Sequence, residues 1–268
     1  MIATLTDLEI EFGKYFIKVW RCKNFPGDKN PEEREGCGEA SMGNLWKKFG
    51  CWIPDRSYFR PWGGFLGKNY KKILIVGGSP SALDILGREK GGSKKTLTRD
   101  EDEEAFMRTK KFVDRWNYEN IDANQETFKR EFEGLMDYYK RDWIPKWGKG
   151  RVLIARLADF GLIDCVAYIN LVCCRCVKEK EGGEYENFNI WEKRVICEEY
   201  FKEAVKTLNP ELIVGMWKSL ENVLKTTKIT EGIENQLYWK GRRSEKSDCN
   251  NFDIIENIVK DVKKSPAT

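Results

Sequence analysis

The 268-residue chain contains no histidine. This absence excludes Ser-His-Asp and Cys-His catalysis, histidine metal ligands and an imidazole pH switch. Any bound metal would therefore need cysteine, carboxylate or backbone oxygen ligands. The sequence does carry nine cysteines, so a metal site made of thiolates is the kind that the composition leaves open.

Long apolar runs are also missing. An uncharged stretch such as Cys165–Cys174 has ten residues, whereas a membrane-spanning helix needs about 20. The N-terminus carries Asp7, Glu9 and Glu11, which a signal peptide would not. We therefore expect a cytoplasmic protein with no membrane partner, in which disulfides are rare. In such a protein, cysteines indicate metal binding, catalysis or plain packing.

The remaining composition is typical of a folded, globular chain. Charged residues make up 34% and aromatic residues 13%, and the net charge is +4. This small positive charge permits binding to a polyanion but does not argue for it. At this length, folding buries a sizeable core without disulfides. We predict an N-terminal extension over residues 1–70, rich in Trp, Gly, Pro and Cys, packed on a core domain over residues 71–268.

Hydrophobic periodicity predicts alternating helices and strands. The predicted helices cover Leu5–Trp20, Glu126–Trp143, Arg151–Phe160, Trp191–Thr207, Ser219–Lys225 and Phe252–Val262. The predicted strands cover Ile73–Val76, Cys165–Cys174, Glu211–Met216 and Gln236–Trp239. Lys23–Gly38 is predicted to be a loop, Gly87–Glu104 a mobile charged insertion and Lys178–Asn187 a polar break. This alternation favours an α/β fold, a three-layer α/β/α arrangement with a central, mostly parallel sheet. Ligands of such sheets bind at the carboxyl ends of the strands.

This rule places the turn after Val76 and the segment after Val172 at the expected ligand site. Gly77–Ser81 (GGSPS) allows the backbone to turn sharply and to approach a ligand closely, but it also suits a plain strand-to-helix turn. Asn170 is an amide in an otherwise apolar strand and offers both a donor and an acceptor to a nucleobase edge. A structural amide bonded to nearby backbone is the alternative.

Two further features are weaker. Trp239–Ser247 (WKGRRSEKS) is a basic loop that suits either phosphate contacts or a solvated turn. The cysteines suit either buried, reduced thiols or ligands that converge on zinc or an iron–sulfur cluster.

The order of these motifs resembles the uracil-DNA glycosylase superfamily. The matching segments are ILIVGGSPS, then VAYINLVCCRC, then WEKRVICEEYFKEAVKTLNPELIVGM, and YFRPWGGFLGKNYKKILIVGG is similar to the lead-in of one branch. The chain is most similar to the iron–sulfur branches of the thermostable, archaeal type. In these, one strand ends in G-x-x-P-G/A, a later strand reads N-V-V-K-C-R-P-P, and a helix carries E-x-x-x-C. The resemblance covers about Tyr58–Val262.

This resemblance implies a site residue by residue. It makes Gly77–Ser81 the loop that positions water and base, and Asn170 the reader of the base edge. The implied catalytic residues are Ser79, Asp84 and Arg243. The implied base-binding residues are Gly78, Pro80, Ser81, Asn170 and Phe106, the last to stack on the base. The implied DNA contacts are Lys240, Arg242 and Ser244.

The resemblance also implies one [4Fe–4S] cluster. Cys174 matches the cysteine of N-V-V-K-C-R, and Cys197 matches that of E-x-x-x-C, although Glu192 lies one residue further away than in the pattern. Cys51 and Cys37 are assigned as the remaining ligands. The close C-x-x-C pair that these branches carry in the N-terminal region is absent here, so plain thiols and zinc stay open.

The departures from the family concern both catalytic motifs. Relatives carry an acidic or amide residue where this chain has Ser79, so Asp84 is the nearest carboxylate to orient a water. Relatives also carry a histidine loop near the C-terminus, where this chain has Gly241–Ser244. Arg243 there would stabilise the developing charge on the base but cannot shuttle a proton.

We therefore predict a monomeric DNA glycosylase that removes uracil or, better, a hypermodified pyrimidine of the kind found in phage DNA. Its partner would be duplex or single-stranded DNA, and its role DNA repair by base excision or phage defence. The alternatives are a glycosylase-fold protein that binds nucleic acid without cleaving it, and an α/β enzyme that processes free nucleotides.

Overall fold

A computed structural model describes residues 5–22, 62–78, 99–150, 153–171, 173, 177–179, 185–187, 197–216, 224 and 235–238. These residues form an α/β fold around a mixed, open, five-stranded sheet. The strands of this sheet are β1 (Phe65–Leu66), β2 (Ile73–Gly77), β3 (Val166–Asn170), β6 (Leu212–Gly215) and β7 (Asn235–Tyr238). A separate antiparallel pair is formed by β4 (Val177–Glu179) and β5 (Tyr185–Asn187).

The spatial order of the sheet is β1-β3-β2-β6-β7. The last four strands in this order run parallel, and the short β1 is antiparallel to β3. Strand β3 lies on one side of β2, and β6, which comes later in the chain, lies on the other side of β2. Such a reversal marks the place where parallel sheets bind ligands, outside the carboxyl ends of the strands.

Six α-helices are described. They are α1 (Leu5–Trp20), α2 (Arg99–Arg115), α3 (Tyr118–Ala123), α4 (Gln125–Tyr138), α5 (Leu153–Asp159) and α6 (Glu198–Leu208). A π-helix over Tyr139–Trp143 and a 3₁₀ helix over Ile144–Gly150 continue α4, and a second 3₁₀ helix covers Ile163–Cys165 just before β3.

The core is built largely from aromatic side chains. Phe12 and Phe16 of α1 pack on Phe132 of α4 with ring centroids 6.2 and 6.0 Å apart, and all three side chains are buried. The strands β2, β3 and β6 are buried along their whole length. A central strand covered on both faces reads as a continuous apolar run, which is why Ile73–Val76 was recognisable from sequence.

Most predicted elements are confirmed. The helix over Leu5–Trp20 has the predicted bounds. Five apolar residues at helical spacing in the predicted 126–143 helix are all buried, namely Phe128, Phe132, Leu135, Tyr139 and Trp143. Gly161 ends α5 with φ +67°. The N–H groups of Leu162 and Gly161 donate to Leu157 O and Ala158 O, which is the Schellman arrangement.

Four boundaries differ from the predictions. The strand predicted over Cys165–Cys174 ends at Asn170, so this amide lies at the end of the strand instead of within it. Helix α2 includes Arg99–Glu104, which we predicted to be mobile; acids near a helix N-terminus favour the helix through its dipole. The predicted polar break contains paired strands, and the described part of the helix predicted from Trp191 begins at Glu198.

Some predictions lie outside the described residues. These are the loop over Lys23–Gly38, residues 87–98 of the insertion, and the last helix; of the helix predicted over Ser219–Lys225, Leu224 alone is described, and it is helical. The two-part division at residue 70 stays a prediction. Within the described ranges, no helix has the length and apolar character needed to span a membrane.

Candidate ligand site at the carboxyl end of the sheet

The ends of β2 and β3 bring two predicted site residues together. Gly77 is paired with Asn170 in the parallel register, and Leu171 N donates to Gly77 O at 2.9 Å. On the other side of β2, Met216 N donates to Val76 O at 2.9 Å. The carboxyl edge of the sheet is therefore closed by backbone hydrogen bonds, with Asn170 next to the start of the GGSPS motif.

The Asn170 side chain is held by a tyrosine of the same strand. Tyr168 Oη donates to Asn170 Oδ1 at 2.7 Å, and each residue is only 2% exposed. Residues i and i+2 of a strand share one face of the sheet, which is why the two side chains meet. Burial raises the pKa of Tyr168 well above its ordinary value, so the hydroxyl stays protonated at neutral pH and keeps its role as donor.

One polar group of this pair has no partner. Asn170 Nδ2 is buried and finds no hydrogen-bond acceptor among the described residues. Leaving a buried amide donor unpaired costs about 1–3 kcal/mol, so native proteins rarely retain such a group without a reason. The orphan donor lies at the edge of the sheet where ligands of parallel sheets bind.

Gly77 makes the tyrosine–asparagine pair possible. A Cβ atom built on Gly77 would lie 2.1 Å from Tyr168 Oη and 2.6 Å from Asn170 Oδ1, well inside van der Waals contact. The first glycine of GGSPS is therefore required by side chains within the protein. Gly78, the predicted base-binding glycine, is buried beside it.

Tyr168 belongs to a group of five aromatic rings, which we term the ring cluster. Its members are Trp62, Tyr139, Trp143, Trp147 and Tyr168. The rings of Trp62 and Trp147 contact Tyr168 directly, with centroids 5.7 and 5.5 Å away. Trp147 is the partly exposed member of the cluster.

Non-local contacts build the ring cluster. Trp62 N donates to Cys173 O at 3.0 Å, which fixes the start of this segment beside the chain that leaves β3. The π-helix aims both Tyr139 and Trp143 at Trp62, and π-helices are often found at functional sites. The Tyr139 hydroxyl is also hydrogen-bonded to Thr109 of α2.

The cysteines present a second feature near this edge. Cys197 is buried at the N-terminal cap position of α6, and its Sγ accepts a hydrogen bond of 3.5 Å from Cys173 N. Cys173 Sγ in turn lies 4.0 Å from Asn170 O. The described residues contain no group of three or more metal-ligating side chains. Cys37, Cys51 and Cys174 lie outside the described residues.

The structure places few of the other predicted site residues. Ser79, Pro80, Ser81, Asp84, Lys240, Arg242, Arg243 and Ser244 all lie outside the described residues. Phe106 is described and buried, and its ring stacks on Trp20 of α1 with centroids 5.2 Å apart. This contact makes Phe106 part of the packing between α1 and α2. Its predicted role as the ring that stacks on a base stays untested, whereas Trp62 and Trp147 contact Tyr168, the hydrogen-bond partner of Asn170.

Sequence reasoning missed Tyr168 and the ring cluster. The signal for Tyr168 was its spacing of two residues from Asn170, which puts both on one face of a strand. The signal for Trp143 and Trp147 was their spacing of four on a helical segment. No sequence pattern connects these residues to Trp62, because the contacts span more than 80 positions.

A cleft lies at the opposite, amino end of the sheet. It is lined by residues that include Glu9, Leu66, Gly67, Lys140 and Asp164. Three of its charged residues are in ion pairs, with Lys140 Nζ 2.6 Å from Asp164 Oδ2 and Lys129 Nζ 2.9 Å from Glu9 Oε2. Paired charges leave less for a ligand to satisfy, so we place the candidate site at the carboxyl end.

Comparison with protein-family models finds none that matches the chain, and comparison with curated proteins finds no significant similarity. The function of this protein is therefore inferred from the candidate site and from the motif resemblance.

Proposed function

We propose that this protein is a DNA glycosylase that hydrolyses the N-glycosidic bond of a flipped-out base and leaves an abasic site. The observation that carries the proposal is the buried Asn170 amide, beside Gly77 at the carboxyl end of β3, whose Nδ2 has no partner among the described residues. Glycosylases read an extruded base through hydrogen bonds to its Watson–Crick edge and through stacking. Asn170 supplies the hydrogen bonds in this proposal, and the stacking ring is Trp147, which is partly exposed and contacts Tyr168.

The remaining roles follow the motif resemblance. Ser79 and Asp84 orient a water that attacks C1′ of the sugar, and the bond between C1′ and the base nitrogen breaks. Positive charge develops on the sugar and negative charge on the departing base. Arg243 stabilises the base anion, as a fixed cation does for a developing negative charge, while Lys240, Arg242 and Ser244 contact the DNA backbone.

The proposed substrate is a substituted pyrimidine. The first motif carries Ser79 where relatives have an acid or an amide, and the chain has no histidine for the late loop. Both departures, together with the long insertion before α2, favour a base other than plain uracil. A three-layer arrangement, with helices on both faces of the sheet, is part of the same proposal.

The proposed cofactor is a [4Fe–4S] cluster held by Cys37, Cys51, Cys174 and Cys197. The surroundings of Cys197 fit this role, because a buried sulfur that accepts a backbone N–H is typical of cluster thiolates. The backbone N–H of Cys173 donates this hydrogen bond, and Cys174 is the next residue in the chain. The cluster would hold these segments together. Iron and zinc analysis of anaerobically purified protein tests this, with about four irons per chain expected and metal-free protein contradicting it.

The test of function is a panel of oligonucleotides that carry uracil, 5-hydroxymethyluracil or a glycosylated hydroxymethyl pyrimidine, in single-stranded and duplex form. We expect abasic sites, detected by alkaline strand cleavage, with at least one substituted pyrimidine. Activity on uracil alone would contradict the substrate assignment. Binding to DNA without any cleavage, with affinity falling steeply as salt rises, would favour the nucleic-acid-binding alternative.

A matched pair of variants tests the site. Asn170→Ala removes the orphan amide, and Asn69→Ala makes the same change at an exposed position near the amino end of the sheet. We expect Asn170→Ala to lower the excision rate by about 100-fold or more and Asn69→Ala to leave it unchanged. Equal activity of the two folded variants would show that Asn170 does not read the base.

A further inference from the structure

The amino-end cleft carries charges that the proposed glycosylase site does not use. It lies between α1, α4 and the edge strand β1 and has a volume of about 410 Å³, within the size range of small-molecule sites. Its charged lining residues are the acids Glu9, Glu133, Asp137 and Asp164 and the bases Lys68 and Lys140. The cleft therefore has an excess of negative charge.

The lysines near the cleft do not neutralise this excess. Lys140 pairs with Asp164, and Lys129, outside the lining, pairs with Glu9. Glu9 and, to a smaller extent, Glu133 raise the pKa of Lys129, so one lysine serves two carboxylates. Among the described residues, Glu133 and Asp137 form no ion pair of their own, and Lys68 is exposed.

The acids of the cleft repel one another. Glu133 and Asp137 are four residues apart on α4, and like charges at this spacing on a helix destabilise it. Burial and, to a smaller extent, Glu133 raise the pKa of Glu9, against the opposing effect of Lys129. A cation bound among these three carboxylates would relieve the repulsion.

Glu9 is the buried member of the three acids. It is only 8% exposed, and its Oε2 has no hydrogen bond of good geometry among the described residues, although Lys129 Nζ lies 2.9 Å away. A carboxylate has about four acceptor positions, and buried polar atoms are normally hydrogen-bonded. Glu9 therefore has acceptor capacity for a donor that enters from the cleft.

An apolar wall lies beside the acids. It consists of Phe65, Phe132 and Met136, which line the cleft and are otherwise buried. Leu66 N donates to Met136 Sδ at 3.4 Å, which holds the thioether against β1. The wall suits an alkyl chain, whereas the carboxylates suit ammonium groups.

We propose that the amino-end cleft binds a linear aliphatic diamine or polyamine. Its ammonium groups bind Glu9, Glu133 and Asp137, and its alkyl chain packs on the apolar wall. A metal ion needs carboxylates that converge on one point, and the part of the chain that the structure describes has no group of three or more such ligands. Ammonium groups joined by a flexible chain can reach carboxylates that are spread along the cleft.

The probe for this site is putrescine, and its matched neutral compound is the diol with hydroxyls in place of both ammonium groups. Binding is followed by the NMR shifts of the backbone amides of Gly67 and Lys68, which line the cleft. We expect putrescine to shift these amides in a saturable way and the diol to leave them unchanged at the same concentration. Butylamine, with one ammonium group, should bind about fivefold more weakly.

Variants that neutralise the acids test which residues bind the diamine. Glu133→Gln and Asp137→Asn should each weaken putrescine binding about fivefold, and the double variant about 20-fold. Glu119→Gln makes the same charge change at an exposed position of α3 outside the lining and should leave binding unchanged. Urea titration identifies the variants that are folded.

Three results would overturn the proposal. They are equal putrescine binding by the wild-type protein and the folded double variant, equal shifts with the diol, and equal shifts with Mg²⁺ at the same concentration. The site does not depend on the proposed function, because the binding test uses no DNA. A protein that excises no base can still bind the diamine, and the double variant should keep any excision activity of the wild-type protein.

Discussion

The two ends of the sheet differ in how their polar groups are hydrogen-bonded. At the amino end, Lys72 O accepts hydrogen bonds from the backbone of Glu211 and Leu212, and Lys71 N donates to Cys165 O. The charged side chains there include the Lys140–Asp164 ion pair. At the carboxyl end, Tyr168 donates to Asn170 Oδ1, and Asn170 Nδ2 has no partner in the part of the chain that the structure describes.

The amino end of the sheet contributes to stability, whereas the proposed glycosylase site lies at the carboxyl end. Backbone hydrogen bonds and ion pairs at the amino end stabilise the fold, although the buried Tyr70 hydroxyl there also has no partner among the described residues. The amide at the carboxyl end retains a hydrogen-bonding requirement that the described protein atoms do not meet. Each of the following predictions changes one end and uses the other as its control.

The largest effect is expected from a methyl group placed at the carboxyl end. Gly77→Ala places a Cβ against Tyr168 Oη and Asn170 Oδ1, and Gly67→Ala places one 2.4 Å from Asp164 O at the amino end. Each overpacked variant should lose about 1–3 kcal/mol of unfolding free energy in urea titrations.

Excision activity should distinguish these two variants. Gly77→Ala displaces the amide and should reduce the rate about 100-fold, whereas folded Gly67→Ala should keep the wild-type rate. Gly134→Ala, where a Cβ meets nothing within 4 Å on an exposed face of α4, should add about 0.5–1 kcal/mol of stability. Loss of activity in Gly67→Ala would show that the two ends are not independent.

A smaller effect is expected from the paired tyrosine change. Tyr168→Phe leaves Asn170 Oδ1 without its donor and should lower the unfolding free energy by about 1–2 kcal/mol. Tyr70→Phe removes a buried hydroxyl that has no partner among the described residues. The unfolding free energy of this variant should therefore equal or exceed that of the wild-type protein. Urea titration of both variants measures the difference, and equal losses would mean that the hydrogen bond at the carboxyl end contributes nothing.

The smallest effect concerns Glu9, which lines the amino-end cleft. Burial raises the pKa of Glu9 above its ordinary value of 4.5, against the opposing effect of Lys129. The folded state then holds this proton more tightly than the unfolded chain does. The contribution of Glu9 to stability is therefore largest below pH 4.5 and falls as pH rises through the folded pKa.

The difference in unfolding free energy between wild type and Glu9→Gln, measured from roughly pH 3 to pH 8, isolates this contribution. We expect the wild-type protein to lose stability relative to the variant as the pH rises. A relative gain would mean that the Lys129 ion pair outweighs burial. The carboxyl-end variant Tyr168→Phe should show no such slope, because its hydroxyl does not titrate in this range.

Local patterns predicted much of the fold. The period of the apolar residues in α1 and α4 and the apolar run in β2 each depend on neighbours within a few positions, which a sequence displays directly. The same is true of the cap at Gly161. The end of β3 at Asn170 was mispredicted. The apolar run continues through residues 171–174, whereas the pairing of β3 with β2 stops at Asn170.

The candidate site was predicted only in part. The turn that begins at Gly77 was expected at the carboxyl edge from the rule for parallel sheets, whereas Asn170 was predicted within its strand. The register of the sheet makes Gly77 and Asn170 neighbours. Phe106, predicted as the ring that stacks on a base, packs on Trp20, and its predicted role stays untested. A ring's partners depend on which helix faces it, and no local pattern encodes that.

The sequence by itself determined which residues are apolar, which strand carries a lone amide and that no histidine is present for catalysis. The tertiary structure alone decided that Asn170 lies at the carboxyl edge, that Tyr168 occupies its oxygen, and that Trp62 and Trp147 enclose the pair. The physical reason is that periodicity is a property of one segment, whereas a hydrogen-bond vacancy exists only when every neighbouring group has been placed.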